Sequence, residues 1–243
     1  MENLLENKVA VLTGAGGGIG RAIAERLAEL KVKLVLLGGN NLEKLEETRK
    51  AVEKHTSCLL LPGNLAENGF IKNAVAGAAG YYGGIDILIN NAGTAQSTPF
   101  EAISEEEYDR IMTINVKVPF LLTQNALPYL KRSGCATVIN IASVVAHAGY
   151  PLQSIYTASK HALLGMTKSI ASEYYKDNIR VHAVSPGGVY TDMVKVSRPD
   201  LKPDGMIMPE DIADIVEFFL THRSNAVIDE ILVHRIGKEP FQV

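Results

Sequence analysis

The chain has 243 residues, 47% hydrophobic and 21% charged, with a net charge of −3 and a sequence pI of about 6.1. That balance excludes the basic excess expected of a nucleic-acid binder, and no apolar run is long enough to span a bilayer. The length suits a single α/β domain over 1–243, large enough to remove roughly 70% of its extended surface from water.

In chain order, Val9-Ala10-Val11-Leu12 is a short continuous apolar run, as expected of a strand buried on both faces. A glycine-rich turn follows, and then Ile19, Ala22, Ile23, Leu27 and Leu30 recur at helical spacing. Leu34 to Leu37 predicts a second strand, Leu42 to Lys54 a charged helix, Cys58 to Leu61 a third strand and Ile85 to Ile89 a fourth. Ser104 with Glu107 has the pattern of a capping box and predicts a helix start. A proline-bearing helical segment then leads to a strand over Thr137 to Ile141, followed by a helix over about Tyr156 to Tyr175 and a strand over Val181 to Val184. Pro209, Glu210 and Asp211 suit a helical first turn, and Ile231 to Val233 is the last predicted strand. This alternation predicts a Rossmann-type, doubly wound parallel sheet with helices on both faces, whose ligands bind beyond the carboxyl ends of the strands.

Cys58 and Cys135 form no C-x-x-C pair and the six histidines have no ligand spacing, so no metal site is expected. The opening residues lack the basic, apolar and small-residue pattern of a secretory leader, and a cytoplasmic protein with reduced thiols is expected.

Thr13-Gly14-Ala15-Gly16-Gly17-Gly18-Ile19-Gly20 lies between a strand and a helix. Glycines there let the backbone approach a pyrophosphate, and the helix N-terminus supplies amides and the positive end of its dipole. A glycine cluster alone is usually only a loop; its placement after the first strand is what points to a dinucleotide. Tyr156 and Lys160, four apart on a helix, share a face. A nearby ammonium is expected to lower a phenol pKa that is otherwise about 10, moving it toward the range useful for proton transfer. Ser143, closing the run Val138 to Ala142, is placed to hydrogen-bond a substrate oxygen. Taken singly, Tyr156 with Lys160 is most often a surface pair and Ser143 a turn cap; their joint order with the glycine turn makes the functional reading the better one.

The spacing T-G-x-x-x-G-I-G, with Asn90-Asn91-Ala92-Gly93, Asn115, Ser143, Tyr156-x-x-x-Lys160 and Pro186-Gly187, resembles the short-chain dehydrogenase/reductase family over nearly the whole chain, weakening beyond Met193. The resemblance implies hydride transfer between NAD(P) and a small-molecule carbonyl or alcohol. Ser143 would orient the substrate, Tyr156 exchange the proton, Lys160 tune Tyr156 and hold the ribose, and Asn115 anchor a water. It further implies a cofactor site built from Thr13, Gly14, Gly16, Gly18, Ile19, Gly20, Gly39, Asn40, Asn64, Leu65, Asn91, Ala92, Gly93, Tyr156, Lys160, Pro186, Gly187, Val189 and Thr191, and a homodimer or homotetramer. Phe120, Leu121, Leu122, Ala126 and Leu127 form a broadly apolar stretch, more than one core is expected to bury, which would suit such an assembly; the alternative is an ordinary buried helix.

Two departures matter. Gly39 stands where an acid selects NAD and Asn40 where a base selects NADP, so the choice stays open. The segment about 193–208 is expected to cover a small pocket walled by Val145, Tyr150, Leu152, Met193, Val194, Met206 and Met208. The chain end lacks the aspartate–glycine–glycine pattern of acyl-carrier reductases, which leaves 3-oxoacyl thioester reduction as the alternative enzyme. A nucleotide-binding regulator without catalysis is the alternative of another class, and the intact Ser143, Tyr156 and Lys160 argue against it.

Overall fold

The computed structural model describes residues 4–39, 41–192, 194 and 202–239. Seven parallel strands form one sheet: β1 (Val9–Thr13), β2 (Lys33–Leu37), β3 (Cys58–Leu61), β4 (Ile87–Asn90), β5 (Thr137–Ile141), β6 (Arg180–Pro186) and β7 (Glu230–Val233), in the order β3-β2-β1-β4-β5-β6-β7. The strands read as unbroken apolar runs because both sheet faces are covered. Ala10 and Leu12 of β1 pack into one layer with Ile23 and Leu27, while Val9 and Val11 pack into the other with Val75 and Leu122.

Helices α1 (Gly18–Glu29), α2 (Leu42–Val52) and α7 (Pro209–Thr221) cover the first face, and α3 (Phe70–Tyr82), α5 (Val118–Leu130) and α6 (Ser154–Tyr174) the second. Helix α4 (Glu105–Met112) runs through a π-helical stretch, Thr113–Lys117, into α5. The parallel sheet with surrounding helices is the predicted fold class. The sequence reading assigned nothing to α3, whose buried face is mostly small (Ala74, Val75, Ala78, Ala79) and carries a weak helical pattern. The fourth strand begins two residues later than expected, because Asp86 turns its carboxylate onto the Val9 amide (2.9 Å). Half of the expected capping box forms: Ser104 Oγ accepts from the Glu107 amide (3.2 Å), but the Glu107 carboxylate accepts from Thr98 Oγ1 (3.1 Å) instead of reaching back.

A buried polar chain crosses the second layer. Asn90 Nδ2 donates to Asn140 Oδ1 (2.7 Å) and Thr123 Oγ1 (3.3 Å), and Asn140 Nδ2 donates to Thr167 Oγ1 (2.8 Å). It ties β4 and β5 to α5 and α6, so it sets where the turn after Asn90 leaves the sheet. A one-residue slip would strand these amides among apolar atoms, at a cost of about 1–3 kcal/mol for each group left unpaired.

Candidate active site

The strand order reverses at β1, whose neighbours are β2 and β4, and a cavity of about 550 Å³ opens beyond the carboxyl ends of the strands there. Its floor is the glycine turn. Gly14 and Gly18 have φ of +71° and +49°, and a Cβ on Gly20 would lie 2.2 Å from the Gly14 carbonyl oxygen. These positions therefore require glycine. Helix α1 has no side-chain cap, and its first residues, Gly18, Ile19 and Gly20, line the cavity, where a helix N-terminus favours an anionic group.

The turns after β1 and β4 are zipped together. Thr13 Oγ1 accepts from the amides of Asn91 (3.1 Å) and Ala92 (3.0 Å), and Asn91 Nδ2 donates to the carbonyls of Thr13 (2.9 Å) and Gly14 (3.2 Å). Thr13 thus lies beneath the cavity and holds its floor, while Gly14, Gly16, Gly18, Ile19, Gly20, Gly39, Asn64, Leu65, Asn91, Ala92, Gly93, Ser143, Tyr156, Lys160, Pro186, Gly187, Val189 and Thr191 all line it. Asn40 lies outside the described residues.

At the other end Ser143, Tyr156 and Lys160 converge. Ser143 Oγ donates to the Pro186 carbonyl (3.3 Å), and Lys160 Nζ donates to the Ile141 carbonyl (2.8 Å). Burial pulls the Lys160 ammonium down to about 8. The Tyr156 phenol is not depressed as expected from the neighbouring Lys160. Burial pushes it above its ordinary value, and the Ser143 hydroxyl only partly offsets this. Lys160 Nζ gives one of its three N–H donors to Ile141 and stands 5.8 Å from the centroid of the Tyr156 ring. Bringing the phenol down therefore needs additional positive charge in the cleft.

Asn115 is buried in the π-helical stretch. Its Nδ2 donates to the Thr94 carbonyl (2.9 Å) and Ser159 Oγ (3.0 Å), and its Oδ1 accepts from the Thr94 amide (2.9 Å). Both amide hydrogens are committed to protein atoms, so a second lone pair on Oδ1 is what remains for a water. A Cβ on Gly93 would lie 3.4 Å from that Oδ1 and 3.6 Å from Lys160 Nζ, which places the two groups on either side of one glycine.

The expected substrate walls fare less well. Of those residues Val194 lines the cavity; Val145 is buried within the 3₁₀ turn Val144–Ala146, and Met206 packs beside Gly188 and Arg235. Leu152 and Met208 are exposed, Tyr150 is absent from the cavity lining, and Met193 and residues 195–201 lie outside the described residues. The later part of the cover is anchored, with the Tyr190 amide donating to the Ile207 carbonyl (2.8 Å).

Sequence reasoning missed Lys44 and Asp192, which line the cavity and pair at 2.9 Å from opposite sides. The nearest signal was Asn41, whose side chain caps α2 by accepting from the Lys44 amide (3.0 Å). Among the described residues no cluster of histidine, cysteine or acid groups could hold a metal, and no helix is long and apolar enough to cross a membrane. Burial pushes the Cys58 thiol up to about 12, so it carries no reactive thiolate at neutral pH.

Lys160 also makes stability depend on pH. Its folded pKa lies below its unfolded value, so between about 8 and 10.5 the unfolded chain binds more protons and stability should rise with pH, by at most about 3 kcal/mol. Denaturant titrations at pH 8 and 10 should show this rise in the wild type and a smaller one in Lys160→Met. Equal slopes in the two proteins would show that the lysine is not desolvated.

A glycine-floored cleft at the switch point of a parallel sheet, with serine, tyrosine and lysine converging at one end, defines a dinucleotide-dependent oxidoreductase. The short chain dehydrogenase family model matches residues 8–202, and the chain belongs to the short-chain dehydrogenase/reductase family. It is 33% identical over 245 residues to the 3-oxoacyl-(acyl-carrier-protein) reductase of Thermotoga maritima, covering 94% of this chain and 96% of that protein. It is 35% identical over 240 residues to the 3alpha-hydroxysteroid dehydrogenase of Mediterraneibacter gnavus, with the same two coverages. Among solved structures it resembles a metagenomic short-chain oxidoreductase in complex with NADP (TM-score 0.82, 32% identity, 94% of this chain and 97% of that one). It also resembles levodione reductase (TM-score 0.86, 30% identity, 94% and 96%). The protein is an NAD(P)-dependent oxidoreductase acting on carbonyl or alcohol groups.

Proposed function

We propose that 1–243 is a single catalytic domain that interconverts a small ketone or aldehyde and its alcohol, with Tyr156 as the proton-exchanging group. The observation that carries this is the convergence of Ser143, Tyr156 and Lys160 at the end of the glycine-floored cavity. NAD(P), when bound, supplies or accepts the hydride. The glycine turn and the first amides of α1 would hold its pyrophosphate, Lys160 its ribose, and the segment Pro186 to Thr191 its nicotinamide end. In reduction, Ser143 Oγ and the Tyr156 hydroxyl hydrogen-bond the carbonyl oxygen, and Tyr156 passes its proton to that oxygen as negative charge develops there. Its raised pKa keeps this proton in place at neutral pH. In oxidation Tyr156 accepts the alcohol proton. The test is a panel of ethyl acetoacetate, acetoacetyl-coenzyme A, D-3-hydroxybutyrate and a 3-ketosteroid, each in the appropriate direction with both cofactors. Turnover of none, with cofactor still bound, would favour a regulator over an enzyme. A strong preference for the thioester would refute the small-carbonyl reading.

The cofactor preference is set at the end of β2. Gly39 has φ of +107° and bridges Gly63, so the glycine serves the backbone there as well as removing the acid. Gly39→Asp should move the NAD/NADP ratio of kcat/KM several-fold toward NAD. It should also cost roughly 1–2 kcal/mol, because an L side chain is strained at this φ. An unchanged ratio would show that the ribose lies elsewhere.

The assembly we propose is a homodimer or homotetramer in the cytoplasm. Phe120 projects from α5 and is 49% exposed, while Leu122 and Ala126 of the same helix are buried in the core. Sedimentation at micromolar concentration should give a multiple of 26.3 kDa. A single 26.3 kDa species would overturn the proposal.

A further inference from the structure

Helix α6 carries both Tyr156 and Lys160, yet its own N-cap residue, Gln153, makes no side-chain cap. The amides of its first turn have no local partner of the kind that serine, threonine, aspartate or asparagine normally supplies. The acceptor comes instead from about 60 residues away. Gln96, in the loop after Gly93, is 4% exposed, and its Oε1 accepts from the amides of Ile155 (2.9 Å) and Tyr156 (3.3 Å). These are the second and third residues of the helix, the two amides that a side-chain cap engages. Two N–H donors converge on one side-chain oxygen, so the orientation of this amide is determined.

The peptide groups on both sides of Tyr156 are thereby held. Its N–H donates to Gln96 Oε1, and its carbonyl accepts from Ser159 Oγ (2.7 Å), which in turn accepts from Asn115 Nδ2 (3.0 Å). The loop bearing Gln96 is pinned on either side. Thr94 is bound by Asn115, and the Thr98 amide donates to the Leu152 carbonyl (3.0 Å). Asn115, Thr94, Gln96, Tyr156 and Ser159 thus close a ring of contacts around the backbone of Tyr156.

From this geometry we infer that Gln96 is a positioning residue for the reaction: it caps α6 from a distance and fixes the Tyr156 phenol beside Ser143. Its effect falls on the chemical step, because displacing a reacting group by about 1 Å costs up to roughly a hundredfold. The glycine turn and the segment Pro186 to Thr191 lie on other elements, and Lys160, a full turn further along α6, has its own anchor on the Ile141 carbonyl, so the cofactor contacts are largely kept.

The inference rests on the acid/base reading of Tyr156, and the experiment separates the two. Gln96→Met keeps the volume and removes the acceptor; Gln96→Asn keeps the amide but is one methylene short; Gln96→Glu keeps an acceptor oxygen at the same reach. The carbonyl of the panel that is turned over fastest is the kinetic probe, and folding is checked by circular dichroism. Gln96→Met and Gln96→Asn should lower kcat by about 10–100-fold with the cofactor KM unchanged. Gln96→Glu should recover most of that loss. Hydrogen–deuterium exchange over residues 154–158, which needs no substrate, should lose protection in the first two variants and keep it in the third. If Gln96→Met does not fold, Gln96→Asn carries the comparison. A folded variant without the acceptor that retains wild-type kcat and protection overturns the inference, as does a Gln96→Glu loss equal to that of Gln96→Met. Tyr156→Phe is the control for the other reading: full turnover in that variant would remove the acid/base role, while the exchange data would still judge the cap.

Discussion

Tyr156→Phe should lower turnover by about 10²–10⁴-fold, the range assigned to a positioned acid or base. The change removes one oxygen and keeps the ring, so the fold and the affinity for cofactor should stay close to wild type. The structure sharpens this expectation. Burial holds the Tyr156 proton in place, so the resting phenol is a proton donor, suited to the reduction direction. In the alcohol-oxidising direction it must first ionise, and activity should climb with pH toward the raised phenol pKa. Steady-state kinetics in both directions, with cofactor titrated separately, check the point. Wild-type kcat in the Phe variant, under conditions where chemistry limits the rate, would take Tyr156 out of the mechanism.

Gly20→Ala should be the most damaging single-methyl change at the cofactor end. The new Cβ would lie 2.2 Å from the Gly14 carbonyl oxygen and 2.5 Å from Asn91 Nδ2, and neither can yield cheaply. The carbonyl belongs to the turn backbone, and the amide is bonded to the Thr13 and Gly14 carbonyls. Relief requires α1 to move away from β1, which opens the cradle and loosens the packing of Ile23 and Leu27. Overpacking of this kind costs typically about 1–3 kcal/mol, so the melting temperature should fall by several degrees and cofactor binding should weaken sharply. Thermal denaturation and cofactor fluorescence titration read the two effects separately. Gly17→Ala is the comparison, because a Cβ there meets nothing within 4 Å. Equal tolerance of the two substitutions would mean that the turn is looser than the geometry shows.

Much of this architecture is legible in the sequence, for reasons that are local. A parallel strand covered on both faces needs apolar side chains at every position, so Val9 to Leu12 and Leu34 to Leu37 stand out as runs. A turn whose backbone must approach an anion needs glycine, so Gly14 to Gly20 stands out too. Helix α3 was invisible because alanine and glycine have little hydrophobic contrast from one face to the other. Val145 was expected in the substrate wall and is not there because the 3₁₀ turn after Ser143 carries it inward, and no periodicity reports a single turn.

By itself the sequence determined the succession of the seven strands and of every long helix but α3, the positions that must be glycine in the cradle, and the residue types delivered to the strand ends. Tertiary structure alone decided what those residues experience. Gln96 meets the Tyr156 amide across 60 positions of chain and Lys44 meets Asp192 across 148, distances at which no spacing rule operates. The directions of the Tyr156 and Lys160 shifts were decided in the same way. Desolvation depends on which atoms exclude water from a group, and those atoms come from strands and loops far from it in the chain.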